Sequence, residues 1–200
     1  MRTFEIEIIE GHDPSSYFWF HPAVLKKNKE DDVFDVKLYA DEISIEEDDI
    51  LHFLYYFFKK YFDTDLEYNV KRDYYDISRA VPAEFEWYLE YNFYTYEAME
   101  RMLNEIDTYA YLFENDYDNP LTDELKKSMA PHFNYISDDE VINLEEYIQK
   151  GYVPKEPDRA EKCMRENIGC AIDFYKRFTA RIRKMMNDNP DACVIAIMGP

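Results

Sequence analysis

Four stretches of this chain repeat with a period of two, and no other feature narrows the fold so far. Residues 3–9 set Phe4, Ile6 and Ile8 against Glu5 and Glu7. Residues 33–40 set Phe34, Val36 and Leu38 against Asp35 and Lys37. Residues 66–75 set Leu66, Tyr68, Val70, Arg72 and Tyr74 against Glu67, Asn69, Lys71, Asp73 and Tyr75. Residues 84–94 are the clearest, with Phe85, Trp87, Leu89, Tyr91 and Phe93 against Glu84, Glu86, Tyr88, Glu90 and Asn92. Successive side chains of a strand point to opposite faces, so each stretch predicts a half-buried strand. A sheet with one wet face is characteristically antiparallel, because parallel strands are usually apolar on both sides.

Helical periods fill most of the remainder. Ser44 and Glu47 form a capping-box pattern that predicts a helix over about 45–62. Thr95 predicts the cap of a helix over 96–114, with Met99, Met102, Leu103, Ile106, Ala110 and Phe113 inward. A short helix is expected near 121–129, and Ser137 with Glu140 predicts another over 138–150. The longest helix is expected over 158–187. Its apolar positions Met164, Ile168, Ala171, Tyr175, Phe178, Ile182 and Met185 make a heptad seam. Such a seam either lies across the body of the domain or joins two copies as a homodimer through residues 164–185. Gly169, within it, is expected to mark a kink or a close helix contact. The run Cys193 to Met198 is continuously apolar and predicts a buried final strand or a docked tail. By contrast, Tyr17–Phe20 predicts only a short aromatic strand or loop, followed by a polar connection. The expected fold is α+β over a single domain, residues 1–200. It has a mostly antiparallel sheet of about four to six strands, helices on one face and a long C-terminal helix.

Composition excludes several functions. The net charge is −20, from 23 Lys and Arg against 43 Asp and Glu. That argues against direct binding of nucleic acid or an anionic membrane, both of which need basic surface. Only 4 glycines occur, too few for glycine-rich phosphate loops. No apolar run is long enough to span a membrane, and no leader segment is visible at Met1–Glu7. Cys163, Cys170 and Cys193 make an odd set without framework spacing, which suits a reducing, cytoplasmic setting. A bacterial cytoplasmic protein is the plainest description that fits the chain.

Catalytic patterns are missing. No serine has a nucleophile-elbow context and no histidines pair at metal-binding spacing, so no metal or cofactor is expected and the chain leans away from being an enzyme. Asp116 and Asp118 open like a calcium loop, but Pro120 and Leu121 stand where the loop needs an oxygen ligand and a glycine. His12 and His21 would meet only if the early loops fold together. Two candidate surfaces remain. The outward positions of the alternating strands gather Glu5, Glu7, Asp35, Glu67, Asp73, Glu84, Glu86 and Glu90, an acidic face suited to a basic protein partner. Immunity proteins, antitoxins and nucleic-acid mimics work by the same physics. Alternatively, Arg72 lies on an apolar strand face, where Tyr68, Tyr74 and Arg79 would help it bind a small anion. The charge is unevenly placed: residues 158–200 hold eight Lys and Arg against six Asp and Glu.

Overall fold

The computed structural model describes residues 6–12, 17–27, 34–62, 70–73, 76–82, 92–133 and 159–199. Within them the chain is α+β. The elements run β1 (Ile9–Glu10), β2 (Tyr17–Lys27), β3 (Phe34–Leu38), β4 (Ile43–Glu46) and α1 (Glu47–Asp49). A π-turn (Ile50–Leu54) and α2 (Tyr55–Tyr61) continue that helix. Then come β5 (Val70–Asp73), β6 (Asp76–Pro82), β7 (Asn92–Thr95) and α3 (Tyr96–Asn115). A 3₁₀ turn (Pro120–Thr122), α4 (Asp123–Phe133), α5 (Arg159–Asp188) and β8 (Val194–Met198) complete the order.

Strand β2 is the axis of the sheet. Residues 17–20 pair with β4, residues 23–27 with β3, and residues 19–23 with β8. Because β8 overlaps both of the other stretches, it lies on the opposite side of β2. Strands β3 and β4 therefore run end to end along one side, joined by residues 39–42. Strand β1 flanks β4, β6 flanks β3, β5 flanks β6 and β7 flanks β8. Eight strand segments thus fill six positions across the sheet, all with antiparallel neighbours. Tyr17–Phe20 is the start of this long strand rather than an isolated one. The strand continues through Pro22, whose carbonyl accepts from Tyr39 N at 2.9 Å. That bond shows which way the backbone of Pro22 points: toward residues 39–42, where the ladder is already interrupted. The amide hydrogen that proline lacks is therefore not needed there.

One face of the sheet carries the helices. Phe18, Phe20, Ile43, Ile45, Tyr94, Ile195 and Ile197 meet Phe53, Phe57, Met99, Met102, Ile106, Phe174, Phe178 and Ile182 in one large core. Helix α3 begins as expected: Thr95 Oγ1 accepts from Ala98 N at 3.1 Å, and the six predicted inward residues are all buried. The seam of α5 also faces this core. Met164, Ala171, Tyr175, Phe178, Ile182 and Met185 are at most 1 % exposed. Burying side chains of this size contributes roughly 1.5–3 kcal/mol each. Those six positions pack into the chain's own core, so α5 lies across the body of the domain.

The other face is not polar throughout, as clean alternation would have it. Ala23, Leu25, Phe93, Val194 and Ala196 are buried there, with Val36, Leu38 and Met198 against them. Strand β8 is therefore buried on both sides, which explains its unbroken apolar run. Two further expectations change. Ser44 is not a helix cap; it stands in β4 between β1 and β2, and its hydroxyl donates to the Gly11 carbonyl at 2.6 Å. Glu46 precedes α1 without a side-chain cap bond. Strand β6 has no counterpart in the sequence reading. The helix expected over 138–150 lies outside the described residues.

Gly169 neither kinks α5 nor makes a close contact. It is exposed within the continuous helix Arg159–Asp188, and a Cβ added there would meet nothing within 4 Å. Gly169→Ala should therefore stabilise the protein by about 0.5–1 kcal/mol, measured as a raised urea midpoint at unchanged slope.

Candidate functional site

The residues of the expected acidic face are only partly in view. Glu5, Glu67, Glu84, Glu86 and Glu90 lie outside the described residues, and Asp73 is placed by its backbone alone, in register with Asp76. Glu7 and Asp35 are exposed. The position of Asp35 pairs with Lys26 on β2 and with Arg79 on β6, so basic positions flank it on both sides. Of the alternative anion site, Tyr68 and Tyr74 also lie outside the described residues. Arg72 pairs with Ala80, one position along β6 from Arg79. Neighbouring positions on a strand belong to opposite faces, so the register does not bring these two arginines together.

The basic residues of α5 have a clear destination. Arg165 grips Asp118 at 2.5 Å, and Lys176 reaches Glu114 at 3.0 Å. Arg183 bonds Glu100 at 2.9 Å and Asp107 at 2.7 Å. Arg177 donates to Asp173 at 2.6 Å and to the Ile6 carbonyl at 2.8 Å. Arg181 makes a two-pronged contact with Glu10, both bonds 2.7 Å, and a third with Asp41 at 2.7 Å. The guanidinium holds the Glu10 carboxyl below its usual range. Exposed pairs of this kind contribute about 0.2–1 kcal/mol. Arg181 differs because its side chain is only 16 % exposed. Asn189 Nδ2 also bonds Asp41, at 3.1 Å, and the Tyr96 hydroxyl donates to the Asn189 carbonyl at 2.9 Å. The link 39–42 is thereby tied to the C-terminal end of α5 and to the start of α3.

Beside that knot the two early histidines do come together. His12 stacks on Trp19, with ring centroids 4.7 Å apart and planes 16° from parallel. His21, two residues further along β2, is 6 % exposed. Its Nε2 lies 3.3 Å from Glu42 Oε2, while Nδ1 is buried without a hydrogen-bond partner. Burial is the strongest influence on this ring and holds its pKa below the ordinary range. Glu42, the Tyr39 backbone and Asp41 favour the proton, and His12 opposes it. A histidine with a lowered pKa binds its proton more weakly folded than unfolded. Its linkage term therefore removes stability as pH falls from about 6.5 toward the lowered value, and adds no further loss below it.

A second pairing has no local signature. His132 on α4 places Nδ1 3.7 Å from Asp49 Oδ1, and its ring meets Phe53 edge-on at 4.8 Å. Asp49 ends α1 just before the π-turn, and both side chains are about nine-tenths buried. Such depth suits a packed structural pair. Cys170 lies near enough to feel the Asp49 charge, but burial dominates and pushes its thiol up to about 11. A thiol is nucleophilic as thiolate, so Cys170 is poorly suited to that chemistry at neutral pH. Among the described residues no group of three or more His, Cys, Asp or Glu is arranged to hold a metal ion, and no helix is long and apolar enough to cross a membrane. Comparison with protein-family models, with curated proteins and with solved structures returns no match to this chain.

Two outcomes follow from this geometry. Alkylation by iodoacetamide at pH 8 should modify exposed Cys193 well before Cys170, as read by peptide mass spectrometry. Arg181→Met should cost about 2 kcal/mol in urea unfolding, because it leaves Asp41 and Glu10 facing each other without their cation. Lys176→Met, at a pair more than half exposed on both sides, should change stability by less than about 0.5 kcal/mol.

Proposed function

We propose that this chain is a non-enzymatic, acidic interaction protein of the cytoplasm that docks a basic protein partner by charge complementarity. The observation that carries the reading is the engagement of α5. Its cations meet acids of its own body and its own helix: Glu10, Asp41, Glu100, Asp107, Glu114, Asp118 and Asp173. Their positive charge is thus largely matched within the molecule. The excess of Asp and Glu over Lys and Arg then resides in the other acidic side chains. Among the described ones, Glu7, Glu46, Asp48, Glu97, Glu166 and Asp191 are exposed on six different elements and links.

A surface of this kind attracts a basic partner before contact and so raises the association rate, with a steep dependence on salt. The test is affinity capture from a lysate of the source cells, with the intact protein as bait at 50 and 500 mM NaCl. Basic proteins should dominate the low-salt capture and be lost at high salt, as the screening length shrinks from about 14 Å to about 4 Å. A partner list without basic proteins, or one indifferent to salt, would sink the reading.

A further inference from the structure

We propose that Tyr56, Tyr61 and Glu105 form a receptor for a lysine ammonium of a basic protein partner, and that Lys60 of the chain itself occupies it until the partner arrives. The inference rests on the basic partner proposed above and adds the place where it docks and the side chain it presents. Tyr56 and Lys60 stand one turn apart on α2, and Tyr61 ends that helix. Glu105 faces them from α3. Lys60 Nζ lies 5.8 Å from the centroid of each tyrosine ring and 2.5 Å from Glu105 Oε1. Two aromatic rings and a carboxylate around one ammonium are the chemistry by which proteins hold cationic ligands.

The walls of this receptor are held by groups other than Lys60. Tyr61 donates to Glu105 Oε2 at 2.5 Å. Burial, and next that carboxylate, push its phenol up to about 12, so it stays a donor at neutral pH. Tyr56 and Tyr109 share a hydrogen bond of 3.3 Å between hydroxyls, and their rings meet edge-on with centroids 6.0 Å apart. Tyr109 is buried in the main core and braces Tyr56 from behind. The Glu105 side chain is 17 % exposed, whereas that of Lys60 is 47 % exposed. A carboxylate withdrawn from water attracts a cation more strongly than an exposed one. Its present occupant is a flexible side chain already half in solvent, which is released at little cost. The oxygens set the preference. Tyr61 takes Oε2 and leaves Oε1 for one donor, which suits the point charge of an ammonium and denies a guanidinium its two-pronged grip. Arg101, one turn before Glu105 on α3, is exposed, and its charge reaches Tyr61. That cation opposes a second ammonium beside Lys60, so binding is an exchange.

NMR titration of the full-length protein with Nα-acetyl-lysine amide tests the receptor, at constant ionic strength and read on the assigned signals of Tyr56, Tyr61 and Glu105. An internal competitor lowers the apparent affinity by the fraction of molecules in which it holds the site. Lys60→Met should therefore bind the probe about fivefold more tightly than the native chain, the factor withheld by an ion pair at the strong end of the exposed range. Adding Glu105→Gln to Lys60→Met should abolish that gain, and Nα-acetyl-arginine amide should bind Lys60→Met more weakly than the lysine probe does. Equal affinity in the native chain and Lys60→Met, signals unmoved in both, a gain that survives Glu105→Gln, or an arginine probe that binds as tightly overturns the receptor. Should Lys60→Met fail to fold, Lys60→Gln carries the same test. Salt-sensitive capture of basic proteins by the native chain, without probe binding, defeats the receptor alone. Probe binding as expected, with no basic proteins captured, defeats the basic-partner reading instead.

Discussion

The seating of α5 on the sheet is what the rest of the molecule depends on. Phe174, Tyr175 and Phe178 sit at the middle of the main core, fully buried between the sheet, the π-turn and α4. Tyr175 adds direction to this burial: its hydroxyl donates to the Phe53 carbonyl at 3.0 Å, inside the π-turn. A π-turn leaves its backbone bonding irregular, and a buried hydroxyl aimed at one of its carbonyls is a specific remedy. Tyr94 does the same for the helix that follows, donating to the Phe58 carbonyl at 2.8 Å. The apolar contacts supply most of the free energy; the Tyr175 hydroxyl ties α5 to the π-turn, and the Tyr94 hydroxyl ties α2 to the sheet.

Charge is layered on that frame. The same helix presents its seam inward and its basic residues sideways, toward acids on β1, α3 and the links. An unpaired set of like-charged acids would repel itself; opposing it with one basic helix relieves the body locally while leaving the chain strongly acidic as a whole. The helix is therefore both the hydrophobic keystone and the internal counter-charge. The proposed binding surface follows from that double duty.

Much of this frame can be read from local pattern. Thr95 and the stripe from Met99 to Phe113 define α3 because cap and periodicity agree. The continuous run ending at Met198 marks a strand covered on both sides. Where local cues failed, a distant partner had prevailed. Ser44 and Glu47 have the spacing of a capping box, yet pairing of Ile43–Glu46 with both β1 and β2 keeps Ser44 extended. Tyr17–Phe20 reads as a short strand or loop, yet β2 runs on through Pro22, whose missing amide hydrogen falls on the gap opened by residues 39–42. His132 and Asp49, or Asp41 and Arg181, are far apart in sequence, and no periodicity connects them. The site was less visible than the fold for this reason: its contacts are almost all between residues remote in the chain.

The position of β8 has a bearing on how such a chain comes to be folded at all. It lies inside the sheet, between β2 from the beginning of the sequence and β7 from its middle. During synthesis β2 and β7 both emerge before residues 194–198, the strand that stands between them, have been made. The growing chain must hold an incomplete sheet, with unpaired edges and apolar faces, through the making of the whole of α5. Its strong negative charge is well matched to that interval, because self-repelling chains resist association while they wait for their last strand.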